Sequence, residues 1–292
     1  MLFRIKWQKT LNTSIGFVTT PSSCGAENLP LVLGYYSFKN LKIMGKLTGI
    51  IKLTGTFDGL TFYKTSDGYL VKTKSGVSKN RIMNDPAFVR TRENLNEFSL
   101  SVKSGKVLRQ AIGPLLHRSK DSKLSSRMLK VMHLIKNLDP SSARGERLVR
   151  LGIASPEGKL LLKGFDFNVH APLSLVMHAF YTVDVATGVL TIPDFSPQEQ
   201  LSIPEGATHV NICSAFVNLD FETGIFESRY SPATILKLDT TISTLILTPE
   251  AVPLGTGTPL YLLLIEFFQD VNGVHYSLRN GAFNVLNVVE VG

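Results

Sequence analysis

The stretch HVNICSAFVNLDFETGIFESRY, residues 209–230, decides the fold. It holds two runs rich in β-branched and aromatic residues, His209–Phe221 and Ile225–Tyr230, separated by the turn signal Thr223-Gly224. Short apolar runs bounded by glycine-containing turns are typical of antiparallel strands. Residues 151–292 contain several such short runs at regular spacing. This pattern predicts a β-sandwich, either immunoglobulin-like or jelly-roll. The other candidate strands are Leu160–Asn168, Leu173–Val183, Val189–Pro193, Ser243–Thr248, Leu260–Gln269 and Val274–Val291, the last long enough for two strands.

A second β-rich region lies near the start of the chain. The runs Ile50–Phe57, Leu60–Thr65 and Tyr69–Lys74 are joined by Asp58-Gly59 and Ser66-Asp67-Gly68. Asp-Gly readily adopts the positive φ angles of a tight hairpin turn. We therefore predict a three-stranded β-meander within residues 44–83.

Residues 84–150 have helical periodicity instead. Asp85-Pro86 is an N-cap residue followed by proline at the first helical position. We expect Phe88, Leu95 and Phe98 to face a core, and Gly113-Pro114 to end or kink the next helix. This helical segment and the predicted sheets together define an α+β fold. Farther along the same helical segment, the residues predicted to face the core are Leu108, Ile112, Leu115, Leu124, Met128, Val131 and Ile135.

Residues 1–43 lack the patterning of the rest of the chain, and clear β periodicity begins only after Met44-Gly45-Lys46. We interpret residues 1–43 as a disordered arm or as an extension upstream of a true start at Met44.

Charge divides the chain into two parts. The 292 residues include 31 Lys and Arg against 23 Asp and Glu, a net charge of +8. Residues 1–163 carry +18 and residues 164–292 carry −10. Such asymmetry suggests two modules that dock on each other or on copies of each other, or a basic part that binds a polyanion.

The basic residues of the helical segment are the candidate nucleic-acid contacts. Lys123, Arg127 and Lys130 are spaced to form a stripe on one helix face, which suits phosphate contacts. The full candidate set is Arg90, Arg92, Lys123, Arg127, Lys130, Arg144, Arg147 and Arg150.

Sequence motifs for catalysis or cofactor binding are absent. The chain contains no nucleophile elbow, no phosphate-binding or dinucleotide glycine loop, and no histidine or cysteine pair at zinc-binding spacing. No apolar run approaches the roughly 18 residues of a membrane span. We therefore expect a cytoplasmic, non-enzymatic protein without cofactor, catalytic residues, metal site or membrane span.

Several motifs carry a resemblance to a known family. They are Gly49-Ile50-Ile51-Lys52-Leu53-Thr54-Gly55-Thr56, Asn84-Asp85-Pro86-Ala87-Phe88, Ala143-Arg144-Gly145 and Gly164-Phe165-Asp166-Phe167-Asn168. From Met44 onward the chain resembles a family of uncharacterised proteins common in Bacteroidota, particularly flavobacteria. The resemblance implies a range of organisms and carries no activity or site residue.

The leading functional hypothesis is a structural or assembly protein with a self-associating β-sandwich, hence a homo-oligomer. A phage- or mobile-element-derived particle component is one version of it. One alternative is sequence-independent binding of nucleic acid through the basic segment. Another is a sandwich that binds carbohydrate or a similar ligand through exposed aromatic residues, for which Phe180, Tyr181, Phe216, Phe221, Phe226 and Tyr230 are available.

Overall fold

The computed structural model describes residues 44–46, 52–73, 76–119 and 121–292. The predicted arm, residues 1–43, lies outside the described residues, as do positions 50, 51 and 74 of the predicted meander. The chain divides into two compact units, of which the first ends at Asn84 and the second runs from Asp85 to Gly292.

The first unit contains the strands β1 (Met44–Lys46), β2 (Gly55–Phe57), β3 (Leu60–Thr65) and β4 (Gly68–Thr73), followed by helix α1 (Lys79–Asn84). The strands form an antiparallel sheet with the order β1-β4-β3-β2. Asp58 and Gly59 both have positive φ, 44° and 73°, as the predicted hairpin turn requires. The meander is therefore confirmed, with a first strand shorter than the predicted Ile50–Phe57, and β1 is an additional strand that was not predicted.

The second unit begins with helices. The Asp85 side chain accepts a hydrogen bond from the Ala87 N–H and caps a 3-10 turn, Pro86–Phe88, that leads into the first long helix. That helix ends at Ala111, one residue before Gly113-Pro114, where the sequence predicts an end or a kink. The helices are α2 (Val89–Ala111), α3 (Gly113–Leu116), α4 (Leu124–Lys136), α5 (Val149–Ile153), α6 (Pro156–Leu162), α7 (Leu173–Val176) and α8 (Pro197–Gln200).

The strands of the second unit form two antiparallel sheets. The strands are β5 (Thr182–Val183), β6 (Leu190–Phe195), β7 (His209–Leu219), β8 (Phe226–Tyr230), β9 (Thr234–Lys237), β10 (Ser243–Leu247), β11 (Thr258–Val271), β12 (Val274–Ser277) and β13 (Val285–Val291). In the large sheet, β11 pairs with β7 along most of its length, and its other edge pairs first with β13 and then with β12. The other edge of β7 pairs with β8 and β9. The small sheet has the order β10-β6-β5.

The large sheet is buried on both faces. Alternate side chains of β7, such as Ala215 and Val217, pack against helices α2 to α6. Ile212 and Phe216 on the same strand pack against the small sheet and α7. The second unit is thus a helical layer and a β-sandwich that share their middle sheet, which confirms the α+β class and a sandwich-like region. The sequence assigns residues 84–150 and 151–292 to two domains, but all of them except Asn84 lie in this one unit.

Two of the predicted strands are wrong. The prediction of strand over Leu160–Asn168 fails because α6 continues to Leu162, and residues 164–167 meet β13 only through the isolated bridge of Asp166 with Asn287 and a few backbone hydrogen bonds. In Leu173–Val183, residues 173–176 form α7, and only Thr182–Val183 belong to a strand. Both helices begin next to a proline, Pro156 and Pro172, and the apolar run itself does not distinguish a buried strand from a short buried helix.

The inward direction predicted for Leu95 and Phe98 is also wrong. Each is 51% exposed, because α2 packs through the small residues Ser101, Ser104 and Gly105 instead. The residues predicted to face inward between Leu108 and Ile135 do so. All of them are buried except Val131, which is partly buried.

Two hairpins share the sequence Asp-x-x-Thr-Gly. In the β7–β8 turn, Asp220 accepts hydrogen bonds from the Glu222 N–H and the Thr223 hydroxyl, at 2.8 and 2.7 Å. The β5–β6 turn repeats this arrangement with Asp184 and Thr187. These turns fix the register of β7 with β8 and of β5 with β6.

Candidate functional site

Half of the predicted nucleic-acid contacts form ion pairs within the chain. Arg127 donates two hydrogen bonds to the Asp121 carboxylate and one each to the carbonyls of Asp166 and Phe167. The other pairs are Arg144 with Glu93 at 2.8 Å, Arg147 with Glu97 at 3.7 Å, and Arg150 with Glu222 at 2.5 Å.

Among the residues that the structure describes, three ion pairs join the basic helical layer to the acidic part of the chain. Besides Arg150 and Glu222, they are Arg118 with Glu266 at 3.1 Å and Lys163 with Glu290 at 2.5 Å. Part of the charge asymmetry along the sequence is therefore neutralised inside the second unit, where the two parts pack on each other.

The remaining candidates stay at the surface. Arg92 donates to the carbonyl of Asp85 at 3.0 Å. Arg90, Lys123 and Lys130 are exposed, and none of these three side chains has a carboxylate partner among the residues that the structure describes. The predicted stripe on α4 is thus reduced to its two lysines.

The aromatic residues considered for a ligand site do not form one exposed set. Phe216 and Phe221 are buried in the two cores, whereas Phe180 and Phe226 are 73% and 42% exposed. Tyr181 and Tyr230 are partly buried against the cores.

The structure brings two histidines and an aspartate together at one end of the large sheet. His209 begins β7, Asp270 lies near the end of β11, and His275 is the cross-strand partner of Asp270 on β12. One ring nitrogen of each histidine and a carboxylate oxygen all lie within 4.8 Å of one another. We call these three residues the His–Asp cluster. Two imidazoles and a carboxylate are a donor set suited to a transition metal ion.

The hydroxyl of Thr208 contacts two members of the His–Asp cluster. It is 3.0 Å from His209 Nδ1 and accepts a hydrogen bond from the Asp270 N–H at 2.7 Å. Asp270 Oδ1 also accepts from the Gly273 N–H at 2.9 Å, which fixes the carboxylate over the β11–β12 turn. Two of the three members are therefore held in place by the backbone and by one neighbouring hydroxyl.

Polar residues continue from the cluster toward the interior along the same face of the sheet. Asn211 follows His209 on β7 and donates to Glu266, which also pairs with Arg118. Cys213 comes next, and burial, followed by the nearby Glu266 carboxylate, raises its pKa to about 11. The Cys213 thiol is therefore protonated and buried at neutral pH, and it lies four residues, about 13 Å, along β7 from His209.

The His–Asp cluster was not predicted from the sequence, from which no metal site was expected. His209 lies far from Asp270 and His275 along the chain, and the three residues share no motif spacing. The one available signal was the pairing of β7 with β11 and of β11 with β12 across the Asn272-Gly273 turn, which places His209, Asp270 and His275 at the same sheet end.

Comparison of the chain with protein-family models, curated proteins and solved structures gives no match. The resemblance to a Bacteroidota family stays a prediction. Among the described residues, no helix is both long and apolar enough to cross a membrane.

Proposed function

We propose that the protein is a non-enzymatic structural protein that assembles with copies of itself through its β-sandwich. The observation that carries this proposal is the edge strand β10, Ser243–Leu247, whose flank opposite β6 receives no backbone hydrogen bond from the described part of the chain. Unpaired strand edges are templates for pairing with another chain.

The composition of β10 favours such pairing. No charged residue occurs between Asp239 and Glu250. Ile246 on the strand and Ile242 just before it are 59% and 65% exposed. Folded proteins usually protect an edge strand with charges, and two other edge strands do so: β8 carries Glu227 and Arg229, and β9 carries Lys237.

A second copy of the chain is the occupant that this edge fits. Two β10 strands that pair antiparallel about a two-fold axis would join two small sheets into one sheet of six strands. The segment Leu245–Leu247 pairs regularly with β6, so its free flank has ordinary strand geometry. The contact consists of backbone hydrogen bonds and apolar side chains, and salt should therefore affect it little.

The test is the molar mass of the full chain by size-exclusion chromatography with light scattering at low and high salt. We expect an oligomer that persists at high salt, and dissociation to monomer in I246K, which places a charge on the exposed face of β10. The matched control is L160K, because Leu160 is 67% exposed on α6 in the helical layer.

A monomeric wild-type protein at both salt concentrations would contradict the proposal. An oligomer that I246K and L160K leave equally intact would contradict the role of β10.

The second candidate function is sequence-independent binding of nucleic acid. Three exposed basic residues support it, because none of them has a carboxylate partner among the described residues. They are Arg90, Lys123 and Lys130. Duplex DNA should then bind at low salt and be released as salt rises, and K123A/K130A should reduce the slope of this salt dependence. R144A, whose arginine already pairs with Glu93, should change it less.

A further inference from the structure

We propose that His209, Asp270 and His275 form a binding site for a divalent transition metal ion, Zn²⁺ in the first place, with at least one coordination position left for water or an external donor. This inference does not depend on self-association through β10, because the cluster belongs to the large sheet and not to the small one.

The distances suit a four-coordinate metal ion. Bonds of about 2.0–2.2 Å in a tetrahedral site place neighbouring donor atoms roughly 3.4 Å apart. His275 Nε2 and Asp270 Oδ2 are 3.5 Å apart and already match this separation. The remaining donor separations are at most 4.8 Å. Because all three side chains reach solvent, small changes of their side-chain torsion angles can close the difference without disturbing the core.

Strand pairing brings the three side chains to one face of the large sheet. Asp270 and His275 are direct cross-strand partners in the tight β11–β12 hairpin, so their side chains project from the same face of the sheet. His209 reaches that face from β7, where it pairs with Phe268, two residues before Asp270 on β11. The two histidine rings already lie against each other, with centroids 4.7 Å apart.

Thr208 acts as a positioning residue. In the tautomer that donates from His209 Nδ1 to the Thr208 hydroxyl, the lone pair is on Nε2, the nitrogen that then binds the metal. The same hydroxyl accepts from the Asp270 N–H, and one outer group thus orients two ligands. Metal-binding histidines usually have such a partner on the other ring nitrogen.

The donor set selects the class of ion. Ca²⁺ and Mg²⁺ prefer oxygen donors, whereas two of the three donors of this cluster are imidazole nitrogens. Two imidazoles with one carboxylate suit Zn²⁺ and its neighbours in the first transition row. Three protein ligands leave a position open, as in zinc sites that bind water or a second molecule.

The experiment is calorimetric titration of the metal-free full chain with ZnCl₂, followed by Co²⁺ absorption spectroscopy. We expect one tight site per chain, with affinity reduced at least 10-fold in H209A, H275A and D270N. H178A is the matched control because His178 is exposed, hydrogen-bonds to Ser202 and lies outside the cluster. T208V should weaken binding by about 10-fold, as loss of outer partners does, and T208S should restore it.

Visible bands of Co²⁺ in a four- or five-coordinate site should be present in the wild type and H178A and absent in H275A. Absence of tight binding in the wild type would overturn the proposal. So would binding that H209A and H275A leave at wild-type strength, because the ion would then occupy another site.

Discussion

The carboxylate of Glu97 on α2 and the ammonium of Lys136 on α4 form a buried ion pair, with only 5% and 2% of the two residues exposed. The other carboxylate oxygen accepts the N–H of Gly145 at 2.8 Å, and Lys136 also donates to Asn137. Burial by itself would raise the pKa of Glu97, but these hydrogen bonds and the nearby charges lower it overall. One carboxylate therefore ties two helices and the loop before α5 together.

Removal of Glu97 should destabilise the second unit strongly. E97A leaves a buried ammonium without its counter-ion, which typically costs about 3–5 kcal/mol of unfolding free energy. E93A is the matched control, since Glu93 pairs with the exposed Arg144 and such pairs contribute up to about 1 kcal/mol. Urea denaturation followed by circular dichroism measures both, and equal losses would contradict the importance of the buried pair.

Acid should destabilise the same region through Asp139. Burial would raise its pKa, but hydrogen bonds from Leu148, Ser142 and Ser141 bring it well below the ordinary value. A carboxyl with a lower pKa in the folded state stabilises the fold above its unfolded pKa of about 3.9, and this contribution is lost as pH falls toward the folded value. The free energy of unfolding should therefore fall below about pH 4.

D139N should remove this part of the pH dependence. It should also lower stability at neutral pH by about 1–3 kcal/mol, because the neutral amide replaces a charged acceptor of buried N–H groups. Denaturant titrations from pH 2 to 7 test this, and an identical pH profile in D139N would refute the assignment.

Gly152 is expected to be intolerant of any side chain. A Cβ atom there would lie 1.9 Å from the carbonyl oxygen of Ile135, where α5 crosses the end of α4. G152A must push the two backbones apart, and overpacking of this kind costs about 1–3 kcal/mol or more. Gly113 has open space at its Cβ position, so G113A should change stability by about 1 kcal/mol at most. Thermal melts of the two variants should differ accordingly.

Cys213 should be inert in the folded protein. Its thiol is buried with a pKa raised to about 11, so almost no thiolate exists at pH 8. In a C24S variant, which leaves Cys213 as the one thiol of the chain, a disulfide reagent should react slowly under native conditions and completely in guanidinium. Rapid native reaction would show that the helical layer opens over β7.

Local signals in the sequence predict the fold well where turn chemistry and periodicity agree. The Asp58-Gly59 hairpin, the Asp85 cap and the stop at Gly113-Pro114 depend only on nearby residues, and all three are present. The strands β7 and β11 are long and apolar enough to be recognised without knowledge of their partners.

Features that depend on tertiary partners could not be predicted in this way. Leu95 and Phe98 fit the pattern of a helix face that points to a core. In the structure α2 packs on α4 through small residues instead, because Gly105 lets Met128 approach closely. Helix α7 is a single turn inside an apolar run and resembles a strand. Three of the eight proposed basic contacts, Arg144, Arg147 and Arg150, pair with carboxylates distant along the chain, which only the folded chain brings near.

The doubly buried large sheet has a consequence for how this sequence can vary. Along β11, Leu262 and Leu264 belong to the helical side, and Leu263 and Ile265 belong to the sandwich side. One inserted or deleted codon within this strand would exchange the residues of two interiors at once. Length variation in descendants of this chain should therefore be confined to connections such as residues 252–257 and 238–242, while β11 keeps its length.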